Sequence, residues 1–206
     1  LRTSKSINKK EKVGIFGDYD VDGATSTALL GKYFTELKIP YEIYIPDRKK
    51  EGYGPSVKSF KELIDKGVKI IFTVDCGTLS FDAIEFANEN NTDVIVLDHH
   101  QSEINLPKAF SVINPNRFDD ESNLQYLCAA GVTCMFLVAR NRKLRLESWF
   151  TKNKIDEPNL INYLDLVSLG TVCDVVPLIG LNRAIVKQGL KILKIKNNLG
   201  LKTLLD

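Results

Sequence analysis

Along the first two thirds of the chain, short apolar blocks alternate with longer mixed ones. Five of the blocks are rich in β-branched residues: KVGIFG at 12–17, YEIYIP at 41–46, KIIFTVD at 69–75, TDVIVLD at 92–98 and AFSVINP at 109–115. Each is short and bounded by polar or turn residues, which is the pattern of a strand. Between them, apolar residues return every three to four positions and predict helices at about 23–38, 55–66 and 79–90. In the first of these, Leu29, Leu30, Tyr33, Phe34 and Leu37 share one face. Strands alternating with helices predict an α/β fold of three layers, a mainly parallel sheet with helices on both faces. After residue 115 the pattern changes. NRFDDESN reads as a polar loop, LQYLCAAGVTCMFLVARNR as a mostly apolar helix, and the remainder as helices at about 158–169, 183–194 and from 198. A helical C-terminal portion therefore follows the sheet. The best internal break is TKNKIDEPN at 151–159, polar and carrying a proline, so a boundary near 125–155 is only weakly marked.

Composition narrows the class. With 206 residues and 44% hydrophobic content the chain can bury a core of ordinary size. None of its apolar runs approaches the ~20 residues a membrane helix requires, so no membrane partner is expected. The start, LRTSKSINKKEK, is basic without the apolar stretch of a signal peptide. A net charge of +2 neither demands nor excludes nucleic acid, since a basic stripe can sit inside a near-neutral total. The four cysteines, Cys76, Cys128, Cys134 and Cys173, show none of the usual zinc spacings and point to a reducing, cytoplasmic setting. The chain opens on Leu1 and closes on LKTLLD within a helical pattern, so it is expected to be a piece of a longer protein.

The chemistry concentrates at the ends of the strands. DYDVDG at 18–23 opens like a calcium loop, but position twelve of such a loop would be Leu29 rather than glutamate, and a strand rather than a helix leads into it. Asp18, Asp20 and Asp22 instead occupy a strand-to-helix turn at the carboxyl edge of the sheet, where ligands bind in open α/β folds. Asp75 ends the third strand, and Asp98, His99 and His100 end the fourth. Asp174 follows an apolar helical stretch and precedes Pro177, which places it at a turn. Any one aspartate there could be a helix cap or turn residue. Together they would repel one another, and a bound divalent cation removes that cost. Mixed carboxylate and imidazole donors suit Mn²⁺ or Mg²⁺ better than structural zinc. Asp22 could alternatively cap its helix, and Asp98 could orient a histidine rather than bind metal.

These segments resemble a known family. GDYDVDGATSTALL, FTVDCGT, VLDHH and SLGTVCDVVPL are similar to the four motifs of the DHH phosphoesterase superfamily, in the form carried by its RecJ branch of single-strand-specific exonucleases. PDRKKEGYGPS at 46–56 and INPNR at 113–117 also resemble that branch, so the likeness runs from about residue 12 to 190. The resemblance implies one DHH catalytic domain over 1–206, with a sheet part at about 12–125 and a helical part at about 126–206 carrying the fourth motif. It also implies that the DHH-associated and OB-like domains are missing. It implies two Mn²⁺ or Mg²⁺ ions held by Asp18, Asp20, Asp22, Asp75, His99 and Asp174, with Asp75 bridging them. His100 would face the scissile phosphate and Asp98 would buttress the histidines, so Asp75, His99, His100 and Asp174 are the expected catalytic set. Many members carry a histidine where this chain has Phe16, which implies weaker binding of one ion.

The activity so implied is 5′-to-3′ hydrolysis of single-stranded DNA to 5′-mononucleotides in recombination and repair. A single-strand-binding protein and a repair helicase are implied partners. Arg48 and Tyr53 are candidates for contacting the DNA strand through charge and stacking, and Arg117 for a phosphate contact; against this, the glycines of RKKEGYGPS need only let a solvated loop turn. The residues themselves support metal-dependent hydrolysis of a phosphate ester or anhydride. A small-substrate phosphodiesterase, a manganese pyrophosphatase and an inactive scaffold are the alternatives. A haloacid-dehalogenase-like phosphatase would need Thr or Val at the position of Asp22.

Overall fold

The computed structural model describes residues 2–205 of the chain. Its five strands, β1 (Val13–Gly17), β2 (Tyr41–Tyr44), β3 (Ile70–Val74), β4 (Asp93–Leu97) and β5 (Ser111–Ile113), form one sheet in the order β2-β1-β3-β4-β5. All the pairings are parallel. Each strand lies inside the run that predicted it. β1 and β3 show no exposed residue, the mark of strands covered on both faces.

Alternation splits the strand residues between two cores. Val13, Ile15, Ile70, Phe72, Ile95 and Leu97 join Leu29, Leu30, Tyr33 and Phe34 of α2 (Val21–Glu36) on one face. Phe16, Ile71, Val94 and Val96 join Phe60 and Leu63 of α3 (Val57–Asp65) and Ile84 of α4 (Phe81–Glu89) on the other. The helical C-terminal portion shares the first core. Leu137 and Leu144 of α5 (Ala129–Leu146), Trp149 and Phe150 of α6 (Trp149–Asn153), and Leu166 and Val167 of α7 (Leu164–Cys173) all pack there. The helices α8 (Gly180–Leu193) and α9 (Leu199–Leu205) follow, and α8 lies along α7. A first helix, α1 (Arg2–Lys9), precedes β1.

Four elements depart from the pattern. The helix expected over LQYLCAAGVTCMFLVARNR begins only at Ala129, where the Asp22 carboxylate accepts its first amides, and runs on to Leu146. The basic N-terminus forms α1, a helix with one large apolar residue, Ile7, and Arg2 bonded to Asp93, Glu11 and the Lys69 carbonyl; polar anchoring replaces the apolar periodicity that would have announced it. The break expected at 151–159 carries α6 at its start, because Trp149 and Phe150 are drawn into the core. The helix expected at 158–169 begins later, at Leu164, after a 3₁₀ turn at Leu160–Tyr163 entered through Asn159, whose side chain accepts from the Ile161 amide at 3.2 Å.

Two glycines set the approach of elements near the strand ends. A Cβ on Gly23 would sit 2.5 Å from the Asp18 carbonyl oxygen, so the first turn of α2 can fold over the end of β1 only with glycine there. A Cβ on Gly170 would meet Thr25 Oγ1 at 2.5 Å and Asp22 Oδ1 at 2.8 Å, so α7 crosses α2 in close contact beside Asp22.

A candidate metal centre at the strand ends

The strand order reverses between β1 and β3, since the chain leaves β1 toward β2 but runs from β3 toward β5. Such a switch point opens a crevice at the carboxyl ends of the strands. The register delivers acids to it one step at a time. The amide of Asp18 donates to the Val74 carbonyl (3.3 Å), that of Asp75 to Leu97 (3.0 Å) and that of Asp98 to Ile113 (3.1 Å). Each acid is thus pinned by its backbone to the last residue of the neighbouring strand.

The side chains converge. His99 Nε2 lies 3.2 Å from Asp75 Oδ1, 3.7 Å from Asp174 Oδ2 and 3.8 Å from Asp22 Oδ2. His100 Nδ1 lies 3.9 Å from Asp75 Oδ1. Three overlapping groups each bring their donor atoms within 4.8 Å: Asp18 with Asp20 and Asp75, Asp75 with His99 and His100, and Asp22 with His99 and Asp174. Asp75 and His99 each belong to two of them. All the acids and imidazoles expected at the site from sequence therefore fall together, Asp98 one layer behind.

The alternative left open for Asp22, that it caps its own helix, falls instead to Asp20. Asp20 is the N-cap of α2, its carboxylate accepting from the Gly23 amide at 2.9 Å. Asp22, in the first turn of that helix, caps another one: its two oxygens accept from Ala129 (2.6 Å) and Ala130 (2.9 Å) at the start of α5. The positive end of α5 thereby steadies a buried acid, and the helical portion is tied to the site through it.

Electrostatics mark the place as incomplete. Burial raises Asp18, Asp22 and Asp174 above the usual carboxylate range. Burial, followed by repulsion from Asp22 and Asp20, pushes Asp75 up to about 10. Asp18 Oδ1, Asp75 Oδ1, Asp174 Oδ2 and His99 Nε2 are buried yet have no hydrogen-bond partner among the described residues. Buried polar atoms are rarely left so, and orphaned oxygen and imidazole donors in three overlapping groups fit hard divalent cations. Asp75 holds this position from a left-handed backbone at φ 63°.

Asp98 belongs to the support. Its Oδ1 accepts from the His99 amide (2.8 Å), the His100 amide (3.2 Å) and His100 Nδ1 (2.8 Å), while Oδ2 accepts from the Thr78 amide (3.1 Å) and hydroxyl (2.6 Å). Burial works to raise its carboxyl, but the bonds from His100 and Thr78 outweigh it and bring Asp98 down to about 2. The same Asp98 bond raises His100 above the ordinary histidine range. Sequence reasoning missed three residues of this layer. Asn114 donates to the Thr78 hydroxyl (2.9 Å) and the His100 carbonyl (2.8 Å), and Asn116 donates to the His99 carbonyl. Their signal lay in INPNR and DCGT, segments noticed for other residues.

The remaining expected residues fall unevenly. Tyr53 reaches the centre, its hydroxyl donating to the Asp75 carbonyl at 3.0 Å and lying 3.2 Å from His100 Nδ1. Arg48 is exposed, its guanidinium 5.2 Å from the Tyr19 ring centroid. Arg117 is turned onto the Asp119 carboxylate and the Val112 carbonyl. Phe16 lies on the opposite face of the sheet, stacked on Tyr44 with ring centroids 5.5 Å apart.

Comparison with known proteins agrees with this geometry. The family model described as "DHH family, N-terminal domain" matches residues 12–171. The single-stranded-DNA-specific exonuclease RecJ of Bacillus subtilis is 35% identical over 204 residues, which cover 99% of this chain and 24% of that protein. RecJ of Escherichia coli is 39% identical over 197 residues, covering 95% of this chain and 34% of that protein. The crystal structure of exonuclease RecJ bound to manganese superposes with a TM-score of 0.79 at 31% identity, covering 98% of this chain and 48% of the other. The chain thus spans a quarter to a third of the length of these curated relatives. With the family model covering most of its residues and the acids of four motifs meeting at one switch point, the chain belongs to the DHH family.

Proposed function

We propose that this chain is the catalytic DHH portion of a metal-dependent exonuclease that hydrolyses single-stranded DNA from its 5′ end to 5′-mononucleotides, serving recombination and repair. One observation carries the reading: the donor atoms of Asp18, Asp75, His99 and Asp174 are buried and unpartnered, and these residues belong to three overlapping donor groups linked through Asp75 and His99. The relatives supply the substrate, since RecJ proteins are named single-stranded-DNA-specific exonucleases and one is solved with manganese.

In this reading Asp18, Asp20, Asp22, Asp75, His99 and Asp174 would hold two Mn²⁺ or Mg²⁺ ions, Asp75 and His99 each belonging to two of the donor groups. When bound, the ions neutralise the phosphoryl oxygens and lower the pKa of water, so no amino-acid nucleophile is required. Asp98, Asn114 and Asn116 fix the backbone and ring of the two histidines. His100, half exposed and with Nδ1 held by Asp98, leaves Nε2 as the ring atom that can hydrogen-bond the scissile phosphate or give a proton to the leaving oxygen. Arg48 and Tyr53 meet the strand at the rim, and Arg117 is a phosphate contact only if it leaves Asp119. The whole of 1–206 acts as one catalytic unit within a longer protein, in which a DHH-associated domain closes the cleft. A single-strand-binding protein and a repair helicase are the partners such an activity calls for. The four free cysteines, three of them buried, suit a reducing cytoplasm.

The test is to incubate the chain and its Asp174→Ala variant with 5′-labelled single-stranded DNA in Mn²⁺ and in EDTA. Early release of labelled mononucleotide by the parent in Mn²⁺ alone is expected. Intact DNA, or labelled fragments of intermediate length, refutes a 5′ exonuclease.

A further inference from the structure

Beside His100 the surface sinks into a cavity of about 890 Å³ between the loop at 53–57 and the turn at 77–83. Left-handed glycines shape both walls: Gly54 at φ 79° and Gly77 at φ 108°. Its walls are apolar where a surface loop is ordinarily polar. Tyr53, Val57, Leu79 and Phe81 line it and remain 55%, 41%, 47% and 40% exposed, although the two cores nearby bury larger side chains completely. Concave, apolar walls with a few polar groups at the rim characterise a small-molecule site. Ser80 and Gln101 supply such groups, and the Ser80 side chain makes no capping bond to α4.

Charge decides what fits. The helices α3 and α4 both begin at this cavity, an arrangement that favours anions. Yet among the described residues no lysine or arginine lines it, while Asp82 and Asp98 do. A phosphate is therefore disfavoured, and a neutral, flat, partly apolar group with hydrogen-bonding edges is favoured. Its mouth at His100 puts such a group within one nucleotide of the metal-binding cluster.

We propose that this cavity is a nucleobase pocket, which receives the base of a nucleotide flanking the scissile phosphate, with Leu79 and Phe81 as its apolar floor. The inference rests on the phosphodiesterase reading above and adds that the enzyme grips a base rather than the backbone alone. Stacking and apolar contact are tolerant of base identity, so the pocket gives a preference for a base over no base, with little preference among the four.

The experiment compares two oligonucleotides, one ordinary and one with abasic tetrahydrofuran residues in place of its first two nucleotides, cleaved in Mn²⁺ by the chain and by a Leu79→Ser/Phe81→Ser variant. The parent is expected to favour the ordinary strand about tenfold in kcat/KM, chiefly through KM, and the variant to lose most of that preference. Equal cleavage of both strands by the parent overturns the pocket and leaves the nuclease reading standing. Cleavage of neither strand overturns the nuclease reading instead. A second measurement needs no variant and no turnover: DNA with 5-iodouracil at its first or second position is irradiated on the chain in Ca²⁺. Crosslinks within 53–57 or 77–83 support the pocket, and crosslinks confined to other peptides overturn it.

Discussion

Replacing Asp75 by asparagine should make the metal-free chain more stable while removing its response to metal. Burial and the neighbouring Asp22 and Asp20 push this carboxyl up to about 10, whereas in an unfolded chain it titrates near 3.9. At pH 7 the folded chain therefore holds a proton that the unfolded one does not. Each pH unit of that difference costs about 1.4 kcal/mol, which sets a ceiling of about 4 kcal/mol at pH 7. The sign follows from proton counting. The native state binds more protons than the unfolded state above pH ~4, so metal-free stability falls as pH rises from there toward 10. Asparagine keeps the shape, carries no charge, and is among the side chains best able to hold the left-handed φ of 63°. Expected in EDTA at pH 7 is a rise in melting temperature of about 5–10 °C, with a flatter decline between pH 5 and 8. Saturating Mn²⁺, about a hundred times its dissociation constant, should raise the parent by about 2.7 kcal/mol and the variant by far less. Thermal melts of both proteins, each with EDTA and with Mn²⁺, decide it. A variant that melts below the parent in EDTA would show that the acid is not held at a cost, and the argument for a cation-requiring cluster would fall with it.

Other substitutions probe the surrounding layers. Asp98→Ala strips the acceptor from the Thr78, His99 and His100 amides in a buried setting, and urea denaturation should show a loss of about 3–5 kcal/mol together with loss of hydrolysis. The Asp98–His100 bond also predicts a pH profile. Asp98 is held down at about 2, so its contribution is present above pH ~4 and lost as pH falls through 2; His100 is raised, so its contribution is complete below pH ~6.5 and lost as pH rises through its folded value. His100→Asn should flatten the alkaline limb in metal-free melts; an unchanged limb would disprove the assignment. Gly170→Ala forces a methyl against Thr25 and Asp22 and should cost about 1–3 kcal/mol by overpacking, with weaker Mn²⁺ binding by calorimetry because Asp174 rides on the same helix.

The strands and the positions of the acids were legible because both depend on local pattern: short β-branched runs bounded by turn residues mark strands buried on both faces, and every acid of the centre sits one residue past a strand or helix end or in the first turn after it. What could not be read was which partner each acid takes. Asp20 and Asp22 are two residues apart and equally suited to capping by sequence, yet one caps its own helix and the other the helix that begins at Ala129. That choice depends on a contact across more than a hundred residues. The network of Thr78, Asn114 and Asn116 was hidden for the same reason, since its bonds join the turns after three different strands. Arg117 shows the converse. A cation beside a motif is visible in sequence, but whether a nearby acid takes it depends on the turn, and here Asp119 takes the guanidinium.

The shared position of Asp75 and His99 has a consequence for the order of events on the ribosome. Two of the three donor groups, Asp18 with Asp20 and Asp75, and Asp75 with His99 and His100, are complete once the first half of the chain has emerged. The third waits for Asp174, which at ordinary synthesis rates follows about 4–15 seconds later. During that interval Asp22 lacks both the α5 amides and its last companion acid. The third group is therefore completed only by the docking of the helical portion, which brings both Asp174 and the amides that hold Asp22.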